Sequence, residues 1–209
     1  MSFPTALTIA LLVAEVAAVV LAVRARVGRP LVLLLGFALV DELAVLAIHV
    51  LLAGTPRPIA GWWRVPYHAE NAFSLGWPCL LAAVCWGRPW RRLDVLAGAY
   101  LGALAGLVVV YPTDAPGSGA PRLRWALLAW EVLMVAAAWA GLYRARLRPW
   151  GAVERCLVIL AACETMVALV GPFASDPFTR WWVGACFYLA AWGGVGVVFS
   201  RRAAASSPS

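Results

Sequence analysis

The chain contains no lysine, and all 17 of its basic residues are arginine. A retinal Schiff base requires a lysine amine, so the sequence excludes a photoreceptor of the rhodopsin kind. Charge is also scarce: charged residues make up 13% and hydrophobic residues 64% of the 209 positions, against about 25% and 45–50% in soluble domains. A chain this short cannot bury so large an excess of hydrophobic residues in a core. The composition therefore predicts a polytopic membrane protein.

Several catalytic motifs are missing as well. The sequence has no HxxxH or HExxH pair for a zinc hydrolase, no aspartate run for a Mg²⁺-dependent prenyltransferase and no GxSxG for a serine hydrolase. Its two histidines are too few for a pair of haems, and the five cysteines form no CxxC pair, which favours buried apolar thiols. The net charge of +7 comes from scattered arginines rather than a basic patch. We therefore expect no cofactor, no metal and no nucleic-acid partner.

Seven apolar windows have the roughly 20 residues that a membrane-spanning helix needs. They cover residues 5–23, 31–53, 67–86, 93–111, 123–143, 153–172 and 180–199. Prolines lie in the joints between them, where the chain leaves the helix. We predict an all-α bundle of seven transmembrane helices as a single domain over 1–202, followed by a disordered tail over 203–209.

The distribution of arginine predicts how the bundle is oriented. Twelve of the 17 arginines fall in joints 1–2, 3–4 and 5–6 and in the tail. By the positive-inside rule these segments are cytoplasmic and the N-terminus lies outside. The first span lacks the preceding positive charge of a cleavable signal peptide. We expect a multi-pass protein of the cell membrane, in the bacterial inner membrane.

The fourth window carries small residues at helical spacing. Gly98, Gly102 and Gly106 form a double GxxxG pattern, which allows two helices to approach closely. The pattern favours a contact inside one chain, with a homo-oligomer as the alternative.

Acidic residues stand inside the spans, where no water is expected. The candidates for chemistry are Glu42, Asp41, Glu131 and Glu164. We expect a further set to line a substrate pocket: Glu15, His49, His68, Glu70, Asn71, Trp77, Tyr100, Trp130, Tyr188 and Trp192. An ionised acid at mid-membrane costs at least about 2.5–3.5 kcal/mol. These acids are therefore either protonated or line a wet or metal-filled cavity, unless each only forms a structural hydrogen bond.

The depth of the acids favours a shared chamber. At about 1.5 Å per residue, Glu15, Glu42 and Glu164 each lie roughly 16 Å from one end of their span. Glu42 and His49 are seven residues apart and share a helix face.

A neutral carboxylic acid in an apolar pocket can protonate an alkene or an epoxide. Aromatic faces can then stabilise the resulting carbocation, and a second carboxylate can remove the final proton.

The chain resembles the small seven-helix membrane terpene cyclases of fungal meroterpenoid and indole-diterpene pathways, which have bacterial relatives. The likeness lies in size, in the number of spans and in an acid in the second helix. Glu42 in "ALVDELAVL" corresponds to that acid, and Asp41 stands where the family has a tryptophan. The family's seventh-helix aspartate has no counterpart in "FYLAAWGGVGVVF". Glu131 or Glu164 would then supply the second acid. The resemblance implies metal-free cyclisation or isomerisation of a lipophilic isoprenoid taken from membrane lipid.

Two other functions stay open. Intramembrane carboxylates and histidines also occur in proton- or cation-coupled transporters, although seven spans do not divide into two equal inverted halves. A metal-dependent membrane hydrolase could use His49, His68 and Glu70 as ligands, although their spacing matches no known motif.

Overall fold

A computed structural model describes residues 3–51, 76–87, 120–145, 151–170 and 177–205 of the chain. All regular structure in these residues is helical, which confirms the predicted fold class there. The helices are α1 (Phe3–Arg24), α2 (Arg29–Leu51), α3 (Gly76–Cys85), α4 (Ala120–Ala145), α5 (Ala152–Val170) and α6 (Pro177–Ala205).

Each described helix overlaps one of the predicted windows. The helix α3 falls in the second half of the third window. Residues 67–75 of that window, and the fourth window with its three glycines, lie outside the described residues. The helix α6 ends at Ala205, three residues beyond the predicted end of the domain. By length and composition, two described helices could cross a membrane, over Ala6–Arg24 and Val183–Ala205.

The ends of the helices follow from local sequence. The α1 helix closes with a backbone bond from Val27 N to Ala22 O (3.1 Å), and Arg26 takes the left-handed conformation that such a C-terminal motif requires. Pro30 then lies in the first turn of α2, where no backbone N–H is needed. At the start of α5, the Glu154 carboxylate accepts the backbone N–H of Gly151 at 2.9 Å, as in a capping box.

The helices pack as a ring. Each of the six described helices contacts the next one in chain order, and α6 contacts α1, which closes the ring. Helix α3 also contacts α5 across it. Fully buried small residues such as Ala18, Ala138 and Ala161 lie at the helix contacts, where a short side chain lets two backbones approach.

The outer surface of α1 is apolar. Val13, Val16, Val20 and Val23 are all exposed, and Val13 is 63% exposed. Their spacing places them along one side of the helix. Only 33% of the Ala6–Arg24 window is buried inside the protein. A continuous apolar face of this kind is costly in water, whereas lipid solvates it well.

Gly141 marks a close backbone contact between α3 and α4. A Cβ atom at this position would lie 2.8 Å from the backbone carbon of Cys85 and 2.9 Å from its oxygen. We expect Gly141→Ala to lower the free energy of unfolding by about 1–3 kcal/mol because backbone must move to make room. Gly193→Ala is the matched control, since nothing lies within 4 Å of its Cβ position. Denaturant titration in detergent measures both; equal effects would contradict the packing argument.

Candidate functional site

Glu164 is a buried acid that contacts two neighbouring helices. It lies on α5 and is only 5% exposed. Its Oε1 atom accepts hydrogen bonds from the indole Nε1 of Trp77 on α3 and from the hydroxyl of Tyr188 on α6, the latter at 2.6 Å. Two neutral donors on one carboxyl oxygen fix the rotamer of the acid. The same contacts tie three helices together at this depth.

A second group of acids lies where α1 meets α2. Glu15 of α1 is 5% exposed and lies within electrostatic range of Asp41 and Glu42 of α2, which are half-buried. Glu15 Oε2 and Glu42 Oε1 are buried atoms with no hydrogen-bond partner. Like charges this close repel one another, and burial penalises each charge further. The arrangement thus favours sharing of protons among the three carboxyls.

A pair of tryptophans connects the two groups of acids. The rings of Trp77 and Trp192 have centroids 5.9 Å apart and planes inclined at 54°. Trp77 donates to Glu164, and Trp192 lies beside the carboxyl of Glu15. Asp41 lies within electrostatic range of both Glu15 and Glu164. The acids of α1, α2 and α5 therefore lie within electrostatic range of one another through Asp41.

The helix α4 contributes the last described acid. Glu131 is half-buried and lies within electrostatic range of Glu164. Trp130, the residue before it, interacts with the thiol of Cys79 on α3. We name the five carboxyls Glu15, Asp41, Glu42, Glu131 and Glu164 the acid cluster. With Trp77 of α3 and Tyr188 and Trp192 of α6, every described helix supplies a side chain to this region.

Some predicted site residues cannot be placed. His68, Glu70, Asn71 and Tyr100 lie outside the described residues. His49 lies on α2, but only its backbone is described. Among the side chains that are described, no three histidines, cysteines, aspartates or glutamates lie close enough together to hold a metal ion.

The hydrogen bonds to Glu164 are the main feature that sequence reasoning missed. Trp77 and Tyr188 were expected to line a pocket, and in the structure both also orient an acid. Trp77 is 87 positions from Glu164 along the chain, and no spacing rule connects residues so distant. The only available signal is that Tyr188 and Trp192 are four apart and so share one face of α6.

A cavity of about 750 Å³ lies away from the acid cluster, where α2 and α5 begin and α3 and α4 end. In its wall, the Arg144 guanidinium lies 5.0 Å from the centre of the Trp86 ring. The Trp86 indole in turn donates to the carbonyl of Ala137 at 2.9 Å. No acid-cluster residue lines this cavity. The large cavity and the concentration of carboxyls are therefore separate features of the molecule.

Comparison with known proteins adds no relative. No protein-family model, no curated protein and no solved structure matches the chain. The function is consequently inferred from the acid cluster itself.

Proposed function

We propose that the protein is an integral membrane enzyme that catalyses acid-initiated, metal-free cyclisation or isomerisation of a lipophilic isoprenoid. The observation that carries the proposal is the acid cluster: carboxyls from four separate helices lie within electrostatic range of their neighbours, and the paired Trp77 and Trp192 lie beside two of them. Along the described helices, no arginine lies within six residues of an acid-cluster residue. Carboxylic acids beside tryptophan faces are the groups that this chemistry requires.

The proposed setting is a bundle of seven transmembrane helices in the bacterial inner membrane, with the N-terminus outside. Three observations support this setting. Two helices are long and apolar enough to span a membrane, the valine face of α1 is exposed, and arginine is in excess in alternate joints. A substrate dissolved in lipid could reach a site inside the bilayer without crossing water.

In the proposed reaction, Glu42 donates its proton to an alkene or epoxide of the substrate. The π electrons of the alkene or a lone pair of the epoxide oxygen accept it, the protonated epoxide opens by breaking a carbon–oxygen bond, and a carbocation forms and rearranges. The faces of Trp77 and Trp192 stabilise the positive charge. Asp41, Glu131 or Glu164 then removes a proton from carbon, which forms the product alkene. The proton gained equals the proton lost, so substrate and product have the same molecular formula.

This mass balance provides the test. We expect the purified protein in nanodiscs to convert at least one member of a panel of prenylated phenols, prenylated indoles and their terminal epoxides. Gas or liquid chromatography with mass spectrometry should show a product of unchanged mass and new retention time. EDTA should leave the yield unchanged. Products that gain water, or activity that EDTA abolishes, would instead favour the metal-dependent hydrolase.

Proton- or cation-coupled transport is the competing function. The observation in its favour is that the acid cluster extends from α1 through α2 to α5 and α4 within electrostatic range at each step, as in a proton relay. Sealed proteoliposomes with an internal pH-sensitive dye distinguish transport from the proposed enzyme activity. Proton movement driven by an added solute, with no new isoprenoid product, would overturn the enzyme proposal.

A further inference from the structure

Arginine is concentrated at one end of the helix ring, where α1, α3, α4 and α6 end and α2 and α5 begin. The Cβ position of Gly194 on α6 lies 3.4 Å from Ile159 of α5, and that of Gly196 lies 3.9 Å from Leu21 of α1. The end of α6 is therefore level with the end of α1 and the start of α5. Glu154 is the one acid among the described residues there. The exposed arginines at this arginine end are Arg24, Arg26, Arg29, Arg144, Arg155, Arg201 and Arg202.

The cavity of about 750 Å³ lies at the arginine end, and its wall combines charged with apolar side chains. Arg144 and Glu154 are the charged residues of the described wall. Glu154 is already engaged, since its carboxylate accepts the backbone N–H of Gly151 at 2.9 Å. The cavity therefore presents an arginine beside a hydrocarbon surface. The apolar part of the wall includes Leu31, Val84, Leu142, Val153 and Leu157.

Arg144 is held at the wall by Trp86. The guanidinium carbon lies 5.0 Å from the centre of the Trp86 ring, and the indole is itself fixed by its 2.9 Å bond to the carbonyl of Ala137. The attraction between a cation and a ring face is electrostatic, so the guanidinium N–H groups can still donate to an anion. A planar, forked donor of this kind matches the oxygens of a phosphate group.

The start of α2 points to the same kind of ligand by a separate route. Gly28, Pro30 and Leu31 line the cavity, so the positive end of the helix dipole lies at its wall. The first turn of α2 contains no acidic residue and begins with Arg29. A cation in the first turn opposes the dipole of its own helix. An anion bound in the cavity would offset both positive charges.

We propose that this cavity binds the phosphate headgroup of an anionic phospholipid. Arg144 contacts the phosphate, the start of α2 supplies a second positive contact, and the apolar wall accommodates the first carbons of the acyl chains. A cavity of this volume lies in the range of small-molecule sites, about 300–1,000 Å³, and is far larger than a free phosphate ion. Basic pockets between transmembrane helices on the cytoplasmic side bind anionic lipid headgroups. The inference shares only the membrane setting with the proposed enzyme.

The test measures lipid binding to the full chain in detergent by native mass spectrometry. The probes are phosphatidylglycerol and phosphatidylcholine with identical acyl chains, and inorganic phosphate at millimolar concentration as a competitor. We expect one molecule of phosphatidylglycerol to bind at least about tenfold more tightly than phosphatidylcholine, whose choline cation offsets the charge of its phosphate. Inorganic phosphate should not displace it, because it lacks the acyl chains.

The variant Arg144→Gln removes the charge and keeps a long polar side chain. We expect it to weaken phosphatidylglycerol about tenfold. Arg201→Gln is the matched control, because it makes the same change at the arginine end but outside the cavity wall; its affinity should stay within about twofold, since an exposed distant charge is screened. Circular dichroism checks folding. If Arg144→Gln fails to fold, the comparison of the two lipids on the unmodified chain still decides.

Equal affinities for the two lipids would overturn the inference. Equal losses in Arg144→Gln and Arg201→Gln would also overturn it, because the arginine end would then attract anionic lipid as a whole. Displacement by inorganic phosphate would contradict the lipid assignment and identify a soluble phosphate compound as the ligand. Glu42→Gln should bind phosphatidylglycerol as the unmodified chain does, so the lipid site and the proposed enzyme fail separately.

Discussion

Glu164→Ala is expected to lower the free energy of unfolding by about 3–5 kcal/mol. The alanine removes the acceptor shared by the Trp77 indole and the Tyr188 hydroxyl. Each buried donor left unpaired costs about 1–3 kcal/mol, and the space left by the side chain adds a packing loss. The measurement is SDS or urea titration of the purified protein in detergent, followed by helical circular dichroism.

Glu164→Gln separates hydrogen bonding from acidity. Its amide oxygen can accept both donors in the same position, so we expect a stability loss below about 1.5 kcal/mol. Thr165→Ala at the neighbouring position is the control. The Thr165 hydroxyl accepts a hydrogen bond from the exposed Trp139 indole and donates one to the carbonyl of Ala161. Equal losses for the alanine and glutamine variants would show that Glu164 does not hold α3 and α6 through these bonds.

The helices were predictable because their signal is local. A run such as "LTIALLVAEVAAVVLAV" leaves the chain few alternatives, since lipid accepts a helix but not an unpaired backbone. The prolines at the joints fix the approximate ends, as Pro30 does at the start of α2. The Schellman-type end of α1 was not predictable, because Arg26 adopts a positive φ that arginine rarely takes.

The candidate site was predictable in its residues but not in its connections. Acids such as Glu15 and Glu164 are conspicuous in apolar helices, and their depth follows from counting residues. The contacts among these acids depend on the rotation of each helix about its own axis and on which helices are neighbours. Those are long-range properties: the ring closes only when α6 packs on α1. The Trp77–Trp192 pair that links the acids is visible only after that closure.

The unequal surroundings of the acids assign them different parts in the proposed reaction. Glu164 has two hydrogen-bond donors on one oxygen, which suits an acid held in a fixed position. Glu42 is half-buried and its Oε1 has no hydrogen-bond partner, so this carboxyl is not already committed to a fixed contact as Glu164 is. The sequence ranked Glu42 first because of its place in the second helix. Its unpartnered oxygen supports the same choice on physical grounds.

Glu42→Gln is accordingly expected to reduce product formation by about 10²–10⁴-fold, the usual contribution of a general acid. The amide keeps the shape and polarity of the side chain but cannot deliver a proton, so folding should be unaffected. Initial rates on whichever panel substrate the unmodified protein converts, at matched amounts of folded protein, give the ratio. Asp41→Asn should cost less, because Asp41 acts on the neighbouring carboxyls through its charge.

Glu154→Gln is the control for this loss, because it makes the same chemical change at an acid outside the acid cluster. Glu154 caps the start of α5 through Gly151, and a glutamine can make the same bond. We expect full activity from this variant. If Glu42→Gln retains more than about a tenth of the rate while Glu164→Gln loses it, the proton donor is Glu164 instead. If both variants remain active, protonation by the acid cluster does not start the reaction, and the catalytic proposal is wrong.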